Sequence, residues 1–440
     1  MSTGPLASPA PQPPGPAEAL PSTRTVEVEL TEPLPAVRSP GRRLWVLARL
    51  ASEPIGVGIF RLGEAELTPD RLGELLWAEL ETPVTERFRA AGLARPDKLT
   101  GRGLAAGLRL REAHPAATQT APFISVVVCT RDRAACVRVC LEHLARQDYP
   151  SFEVVVVENV PTGDAVRELV DARASGAVPF RYVAEERPGL SWARNAGVAA
   201  SAADLIAFLD DDDEPDRLWL AGIARGFARG GDIACVTGVT LASRLETRAQ
   251  EMFEELGGHS TGRGFTPAIF SRRGPQSPLF PLPPFGAGAN MAFRREALKR
   301  IGGFDVALGA GTPTATGEDT LAFTLVLLAG YRIAYEPSAL MRHTHRRDAD
   351  GLRSQLRGYS IGLYAYYAAL LRHRPDTLPC LLRLLPAAVR HLRTGRQPGA
   401  VSADLPDGVG GLQLKAMLKG PAAYVRSVCV QARVAKGGWP

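Results

Sequence analysis

Three short, predominantly apolar segments alternate with helical patterns in the middle of the chain, and they constrain the fold more than any other feature. They occupy residues 125–129, 153–157 and 205–209. Between them, apolar side chains recur three and four positions apart, as on one face of a helix. Continuous apolar strands separated by helices are typical of a parallel sheet covered on both faces. We therefore predict an α/β fold for residues 121–350, with ligands at the carboxyl ends of the strands.

The regions on either side of this alternating part differ from it. Residues 1–22 contain seven prolines and few large apolar side chains, which predicts a disordered tail. Residues 23–110 combine strand patterns with a helix that begins at the Thr68-Pro69 pair, so we expect a small α+β module of unknown role. Residues 351–440 have helical patterns and a basic surplus, and they form a C-terminal extension.

The composition excludes several classes of protein. The chain has 440 residues with a mean hydropathy of -0.04, and no apolar run reaches the roughly 18 residues that a membrane helix needs. Its six cysteines form no CxxC pair and its N-terminus has no signal-peptide pattern, so we expect a cytoplasmic protein. The basic surplus has no interleaved aromatic pattern, so we expect no nucleic-acid partner.

The C-terminal extension suggests a membrane surface as a partner. Residues 341–440 carry 16 basic and five acidic side chains, together with Leu-rich segments and Tyr359, Tyr364, Tyr366 and Tyr367. Basic amphipathic helices with aromatic side chains can lie in the interface of an anionic bilayer. We therefore expect peripheral contact with the inner face of the cell membrane. The alternative is that these apolar side chains pack on the protein core while the arginines are solvated.

An acidic run follows the third apolar segment directly, as Asp210-Asp211-Asp212-Asp213-Glu214. Adjacent carboxylates repel one another, so a cation is expected among them. Mg²⁺ and Mn²⁺ prefer oxygen ligands and commonly bind one or two carboxylates plus substrate phosphates. The alternative, an acidic turn before a helix, accounts for one acid but not for four. We predict a divalent metal, Mg²⁺ or Mn²⁺, as cofactor.

Polar residues also follow the other two apolar segments. Thr130 and Arg131 end the first, and Glu158 and Asn159 end the second. A nucleotide would find partners for its base, ribose and phosphates at such an edge, although Glu158 and Asn159 taken alone are more often turn residues. Downstream, Arg194 and Asn195 lie in a helix that follows a Ser cap. This pattern fits an anion site and an ordinary capped helix equally well.

Two further motifs lie nearer the C-terminus. The glycine-rich residues 286–290, with Gly288 and Asn290, permit close approach of a ligand to the backbone. Glu318 and Asp319 open an apolar helix, where acids are usually capping and dipole partners. On these residues alone, a structural role is as compatible with the pattern as a catalytic one.

His343 and His345 follow a strand-like segment. Alternate residues of an extended chain point to opposite faces, so we expect one of the two to reach a metal or the oxygens of a diphosphate. The alternative is that both lie at the surface.

In their order along the chain, these motifs resemble glycosyltransferase family 2, whose members have the GT-A fold. The resemblance covers residues 122–347 and rests on six segments, residues 125–133, 155–159, 189–195, 206–213, 288–294 and 317–319. It implies that Asp210 and Asp212 are the DxD pair of a metal site, with His343 or His345 completing the shell. It also implies that Asp319 is the catalytic base, with Glu318 as its lesser partner. Further nucleotide-sugar contacts are expected at Thr130, Arg131, Glu158, Asn159, Arg194, Asn195, Asp210 and Asp211, and sugar contacts at Gly288 and Asn290.

The resemblance implies transfer of a sugar, with inversion, from a nucleotide-diphosphate sugar donor to an acceptor hydroxyl. Two other functions remain open at this point. A nucleotidyltransferase also needs a parallel sheet, a nucleotide and carboxylates, but it more typically has a Gly-rich basic loop where residues 130–135 have no glycine. A non-catalytic nucleotide-sugar-binding protein would not need Asp319.

Overall fold

The protein is described here by a computed structural model. The described residues are 23–38, 43–61, 66–105, 109–110, 121–174, 176–259, 263–274, 277–279, 285–384, 386 and 409–436, without the side chains of 409–417. The predicted disordered tail, residues 1–22, lies outside them.

A small sheet and one helix form the N-terminal part of the structure. The sheet has the order β1 (Arg24–Glu29), β2 (Arg43–Leu50) and β3 (Glu53–Arg61), and α1 (Pro69–Ala90) packs on it. The Thr68 hydroxyl accepts a hydrogen bond from the Arg71 N–H at 3.3 Å, which confirms the predicted helix start. The predicted division of the chain into domains stays a prediction.

The remaining strands and helices follow in chain order. The strands are β4 (Ile124–Thr130), β5 (Phe152–Asn159), β6 (Phe180–Glu185), β7 (Leu205–Asp210), β8 (Asp213–Pro215), β9 (Ile233–Thr237), β10 (Thr240–Ala242), β11 (Ala268–Ser271), β12 (Asn290–Arg294), β13 (Arg332–Tyr335) and β14 (Met341–His343). The helices are α2 (Ala134–Leu144), α3 (Ala165–Asp171), α4 (Leu190–Ala200), α5 (Trp219–Ala228), α6 (Arg248–Glu255), α7 (Arg295–Ile301), α8 (Glu318–Leu328), α9 (Ala349–His373) and α10 (Val409–Val434).

Eight strands form the central sheet, in the order β11-β13-β9-β12-β7-β4-β5-β6. Strands β7, β4, β5 and β6 are parallel, which confirms the arrangement predicted for the three apolar segments. Strands β12 and β11 run antiparallel to their neighbours, so the sheet is mixed. Sequence analysis did not assign these two strands.

Helices cover both faces of this sheet, as predicted. On one face, α2 and α5 contribute Val137, Leu141 and the fully buried Trp219 to the core. On the other face, α4 and α8 contribute Ala193 and Phe323. Because both faces are covered, the edge formed by the carboxyl ends of the strands is left as the place for a ligand.

A second small sheet, in the order β10-β14-β8, lies next to this edge. Strand β14 pairs antiparallel with β8, and the register places His343 opposite Asp213. Pairing of backbones thereby brings a histidine to the acidic run that follows β7.

The C-terminal helices α9 and α10 pack on the protein. The Tyr366 hydroxyl lies 2.9 Å from the hydroxyl of Thr324 in α8, and the Tyr367 hydroxyl donates to the Leu279 carbonyl at 3.0 Å. For these two tyrosines the alternative interpretation, packing on the core, holds. Within the part of the chain that the structure describes, no helix has the length and apolar character to cross a membrane.

Candidate active site

The four aspartates after β7 divide into two accessible and two buried side chains. Asp210 and Asp212 remain 34% and 15% exposed, whereas Asp211 and Asp213 are buried. Of the four, Asp210 and Asp212 are therefore the more accessible to a ligand.

Asp211 contacts the protein itself. It accepts a hydrogen bond from the Thr130 hydroxyl at 2.6 Å and forms an ion pair with Arg133. Burial raises the pKa of Asp211 to about 7, which these contacts oppose. Asp211 thereby holds the end of β4 against the acidic run, and the predicted nucleotide contacts of Asp211 and Thr130 stay predictions.

Arg133 is a site residue that sequence analysis missed. Its guanidinium spans two aspartates, since it also donates to the Asp212 carboxylate at 2.9 Å. Repulsion within the acidic run was a signal that a cationic side chain was needed nearby. Arg131 is exposed at the same edge, and its predicted contact with the nucleotide stays a prediction.

Asp213 is a second residue that sequence analysis missed. One of its carboxylate oxygens accepts from the Asp210 N–H at 3.1 Å, and the other is buried without a partner among the described residues. Burial, reinforced by Asp210 and Asp212, raises the pKa of Asp213. A ligand atom of Asp213, one of Asp212 and one of His343 lie within 4.8 Å of one another. Carboxylate oxygens and one imidazole are donors that fit a divalent cation.

The two predicted histidines have different surroundings. His343 Nε2 lies 3.7 Å from Asp212 Oδ1, and burial lowers the pKa of His343 to about 4, so the neutral ring can offer a lone pair. His345 is buried behind it, with Nε2 2.6 Å from Glu254 Oε1 and Nδ1 3.1 Å from His343 Nδ1. Of the two, His343 is thus the histidine that lies beside the acidic run, and which of them reaches a metal stays a prediction.

Arg194 connects the acidic run to the start of α8. It is buried, 2.7 Å from Glu318 Oε1, 3.4 Å from Asp210 Oδ1 and 3.3 Å from the Gly288 carbonyl. Its guanidinium donates to the protein's own oxygens, and its predicted contact with a nucleotide sugar stays a prediction. Burial raises the pKa of Glu318 although the Arg194 charge lowers it, and the second Glu318 oxygen has no partner among the described residues.

Asp319 lies half-buried beside this ion pair. Its Oδ2 accepts from the Gly288 N–H at 2.9 Å, and its Oδ1 accepts from the Thr320 N–H at 2.6 Å. A Cβ added to Gly288 would lie 2.6 Å from Asp319 Oδ2, which is closer than side chains approach. Gly288 is therefore needed to seat Asp319, and its predicted contact with a sugar stays a prediction.

Three asparagines that were predicted to contact a ligand form hydrogen bonds within the protein through both the oxygen and the nitrogen of their side-chain amides. Asn290 bridges the indole of Trp219 to two backbone carbonyls at 2.8 and 2.9 Å. Asn195 bonds the N–H and the carbonyl of Phe304, both at 2.9 Å. Asn159 joins backbone groups of residues 185–189. Through these bonds the three residues fix the loops around the edge, and the predicted ligand contacts of Asn159, Asn195 and Asn290 stay predictions.

Glu158 lies at the carboxyl end of β5, at the same edge. It is buried and accepts a hydrogen bond from the Tyr182 hydroxyl at 2.7 Å. Burial raises the pKa of Glu158. Its predicted contact with the base or ribose stays a prediction.

Comparison with curated proteins finds glycosyltransferases. A pre-mycofactocin glycosyltransferase of Mycobacterium tuberculosis is 30% identical over 207 residues, which cover 44% of this chain and 37% of the relative. The glycosyltransferase AglE of Haloferax volcanii is 33% identical over 106 residues, which cover 23% of this chain and 34% of the relative. The chain thus spans about a third of the length of these curated relatives.

Two solved structures are also similar. A mannosyltransferase of Pyrobaculum calidifontis, in complex with GDP-Man and Mn²⁺, is 20% identical with a TM-score of 0.44, over 74% of this chain and 90% of that one. Residues 1–349 of S. aureus TarS, in complex with UDP-GlcNAc, are 17% identical with a TM-score of 0.40, over 72% of this chain and 93% of that one.

The model of the family "Glycosyl transferase family 2" matches residues 125–302. That range begins in β4 and ends after α7, so it contains the acidic run, Arg194 and Gly288. This match confirms the predicted resemblance to the family over residues 125–302, and with it the GT-A class of fold. In this range the chain is similar to glycosyltransferase family 2.

Proposed function

We propose that the protein transfers a sugar from a nucleotide-diphosphate sugar to an acceptor hydroxyl, with inversion and with the help of a divalent metal. One observation carries the proposal: Asp319 lies at the same sheet edge as the accessible Asp210 and Asp212, and it is joined to Asp210 through Gly288 and Arg194. A base and a cation site at one edge are what displacement of a diphosphate by a hydroxyl requires.

Asp319 is the proposed base. Hydrogen bonds from the Gly288 N–H, the Thr320 N–H and the Thr320 hydroxyl fix both of its oxygens, and Oδ2 keeps a lone pair for a further donor. The carboxylate accepts the proton of the acceptor hydroxyl as its oxygen forms a bond to the anomeric carbon. The bond from that carbon to the diphosphate breaks, and the nucleoside diphosphate leaves with the electron pair. A single displacement of this kind inverts the anomeric centre.

The proposed metal ligands are Asp210, Asp212, Asp213 and His343. The buried, unpartnered oxygen of Asp213 and the neutral ring of His343 support this assignment. When bound, a Mg²⁺ or Mn²⁺ ion would neutralise charge on the leaving diphosphate. By holding such an ion, the four side chains would orient the donor.

Arg194 and Glu318 are proposed as positioning residues. The guanidinium is 2% exposed and lies between Glu318, Asp210 and the Gly288 carbonyl. It therefore fixes the distance between the metal-binding end of β7 and the helix that carries the base. Positioning of reacting groups contributes to rate because it replaces encounters in solution with a fixed geometry.

Two variants test the proposal, one at the base and one at the metal site. We expect Asp319→Asn to lower transfer by about 10² to 10⁴-fold, because general-base catalysis contributes about that factor, while donor affinity changes little. We expect Asp212→Asn to weaken Mn²⁺-dependent donor binding and to abolish transfer with it. Donor binding is measured by calorimetry with a panel of nucleotide sugars, and transfer by release of nucleoside diphosphate.

The outcomes separate the two assignments. Normal turnover of folded Asp319→Asn protein would place the base elsewhere. Loss of donor binding alone in that variant would make Asp319 a donor ligand. Turnover of Asp212→Asn at the rate of the unsubstituted chain, at equal Mn²⁺ concentration, would remove the metal site.

We also propose that α10 contacts an anionic membrane surface. Leu418 and Val425 are 80% and 62% exposed and lie seven residues apart, on one face of the helix, beside Lys419 and Arg426. Each basic group near anionic lipid adds about 1 kcal/mol to binding. Such contact would bring the sheet edge to a lipid-linked or polymeric acceptor.

Co-sedimentation with phosphatidylglycerol and phosphatidylcholine vesicles tests the membrane proposal. We expect salt-sensitive binding to the anionic vesicles, lost when Leu418 and Val425 are both replaced by Gln. Ile59→Gln is the matched control, because it removes an exposed apolar side chain from the N-terminal module. Equal binding of the double variant and the unsubstituted protein, or no preference for anionic vesicles, would contradict the proposal.

A further inference from the structure

Three imidazoles form a cluster on the side of His343 that faces away from the acidic run. One ligand nitrogen of each of His259, His343 and His345 lies within 4.8 Å of one ligand nitrogen of the others. The rings of His259 and His343 are 4.7 Å apart between centroids. His259 Nε2 is buried and has no hydrogen-bond partner among the described residues. A buried nitrogen without a partner is costly unless something binds it.

The spacing of two of the rings is close to that of ligands on one metal ion. Zn²⁺ binds imidazole nitrogen at about 2.0 to 2.1 Å, so two nitrogens of a tetrahedral site lie about 3.4 Å apart. His343 Nδ1 and His345 Nδ1 lie 3.1 Å apart. A small rotation of these rings and of His259 would place three nitrogens around one ion.

The opposite nitrogens of the same two rings meet carboxylates. His345 Nε2 lies 2.6 Å from Glu254 Oε1, and His343 Nε2 lies 3.7 Å from Asp212 Oδ1. Histidines that bind a metal through one nitrogen commonly donate the other N–H to a carboxylate, which fixes the ring and its tautomer. Both carboxylates favour the tautomer in which the Nδ1 atoms carry the lone pairs.

We propose that His259, His343 and His345 form a second cation site, specific for Zn²⁺ or a similar borderline-soft divalent ion. Three imidazole nitrogens suit Zn²⁺ better than Mg²⁺ or Mn²⁺, which prefer oxygen ligands. A neutral imidazole has a lone pair on only one nitrogen, so His343 serves one of the two sites at a time. Bound zinc would tie the segment after α6, which carries His259, to the strand β14 beside the acidic run.

Zinc titration of the metal-free full chain, in the absence of donor, tests the site. We expect one Zn²⁺ per chain by calorimetry, and an X-ray absorption spectrum of nitrogen ligands with the scattering pattern of about three imidazoles. His259→Ala should weaken zinc binding by more than tenfold. Glu254→Gln should weaken it by about tenfold, because outer partners of metal-bound histidines contribute about that factor.

Two matched controls separate this site from the carboxylate site. His373→Ala removes a histidine at the end of α9, and Asp210→Asn removes a carboxylate from the acidic run; each should change zinc affinity less than threefold. The X-ray absorption spectrum is measured on the unsubstituted protein, so it does not depend on the folding of a variant. If circular dichroism shows that His259→Ala is unfolded, His259→Gln replaces it. No zinc binding, equal binding by the His259 variant, loss of binding in Asp210→Asn, or a shell of oxygens would each overturn the proposal. None of these results depends on glycosyl transfer.

Discussion

Replacement of Gly288 by Ala should displace the proposed base, Asp319, while leaving its carboxylate chemically unchanged. The added Cβ would lie 2.6 Å from Oδ2, 2.8 Å from Cβ and 3.0 Å from Cγ of Asp319. Ordinary contact between such atoms begins near 3.4 Å, so Asp319 must move by about 0.8 Å or rotate. The hydrogen bond from the Gly288 N–H to Asp319 is then lengthened or lost.

The displacement converts to an expected loss of rate. A misplacement of about 1 Å can cost about 10²-fold in turnover, which corresponds to about 2.7 kcal/mol in the barrier. Overpacking costs about 1 to 3 kcal/mol of folding free energy, so the variant should remain folded. The assay measures kcat by release of nucleoside diphosphate, donor affinity by calorimetry and stability by urea unfolding. Because Gly288 contacts Asp319 and Arg194 rather than the donor, donor affinity should stay within about threefold.

Gly231→Ala is the matched control, because a Cβ at Gly231 would meet no atom within 4 Å. It should leave kcat, donor affinity and stability unchanged. A kcat of Gly288→Ala within threefold of the unsubstituted enzyme would refute the reasoning, since Asp319 would then tolerate the shift. A loss of donor affinity equal to the loss of kcat would place Asp319 on the donor side.

Two further predictions concern buried charges. Arg194→Met should destabilise the protein by about 3 to 5 kcal/mol in urea unfolding, because it leaves Glu318 buried without its cation, and Arg194→Met with Glu318→Leu should recover most of that loss. Asp305→Asn should cost about 1 to 3 kcal/mol at pH 7. Burial opposes ionisation of Asp305, but bonds from His373, Tyr424 and a backbone N–H prevail and lower its pKa. The Asp305 contribution is thus present above pH about 3.9 and lost as the pH falls through the lowered pKa, so the two unfolding curves should converge in acid.

The elements of the fold could be predicted where the pattern is local. The apolar segments gave β4, β5 and β7 because strands buried on both faces need apolar side chains at every position. The Thr68-Pro69 pair predicted the start of α1 because a helix cap is a contact between residues close together in the sequence. Strand β12 was missed because its antiparallel direction depends on partners far away in the sequence.

The candidate site was predictable in position but not in the use of each side chain. The motifs located the edge, and the structure places Asp210, Asp212 and Asp319 there. Asn195 was predicted to contact a ligand, but in the structure both ends of its side-chain amide form hydrogen bonds with the backbone of Phe304, 109 positions away. No local sequence pattern indicates that Glu254 belongs to the site, because its contact with His345 joins residues 91 positions apart. Whether a polar group faces a ligand or a distant backbone is decided by packing, and a motif does not encode it.

The N-terminal module is part of the surroundings of this site. Trp45 and Leu47 of β2 pack against the segment that leads into β14, the strand that ends with His343. Arg43 pairs with Glu255 at 2.7 Å, at the end of the helix that carries Glu254. The module thus contacts the elements on both sides of the His343–His345 pair. Because a hydrogen bond at 2.6 Å between His345 and Glu254 needs α6 and β14 at a fixed distance, contacts that hold both elements also set the orientation of His343 toward Asp212.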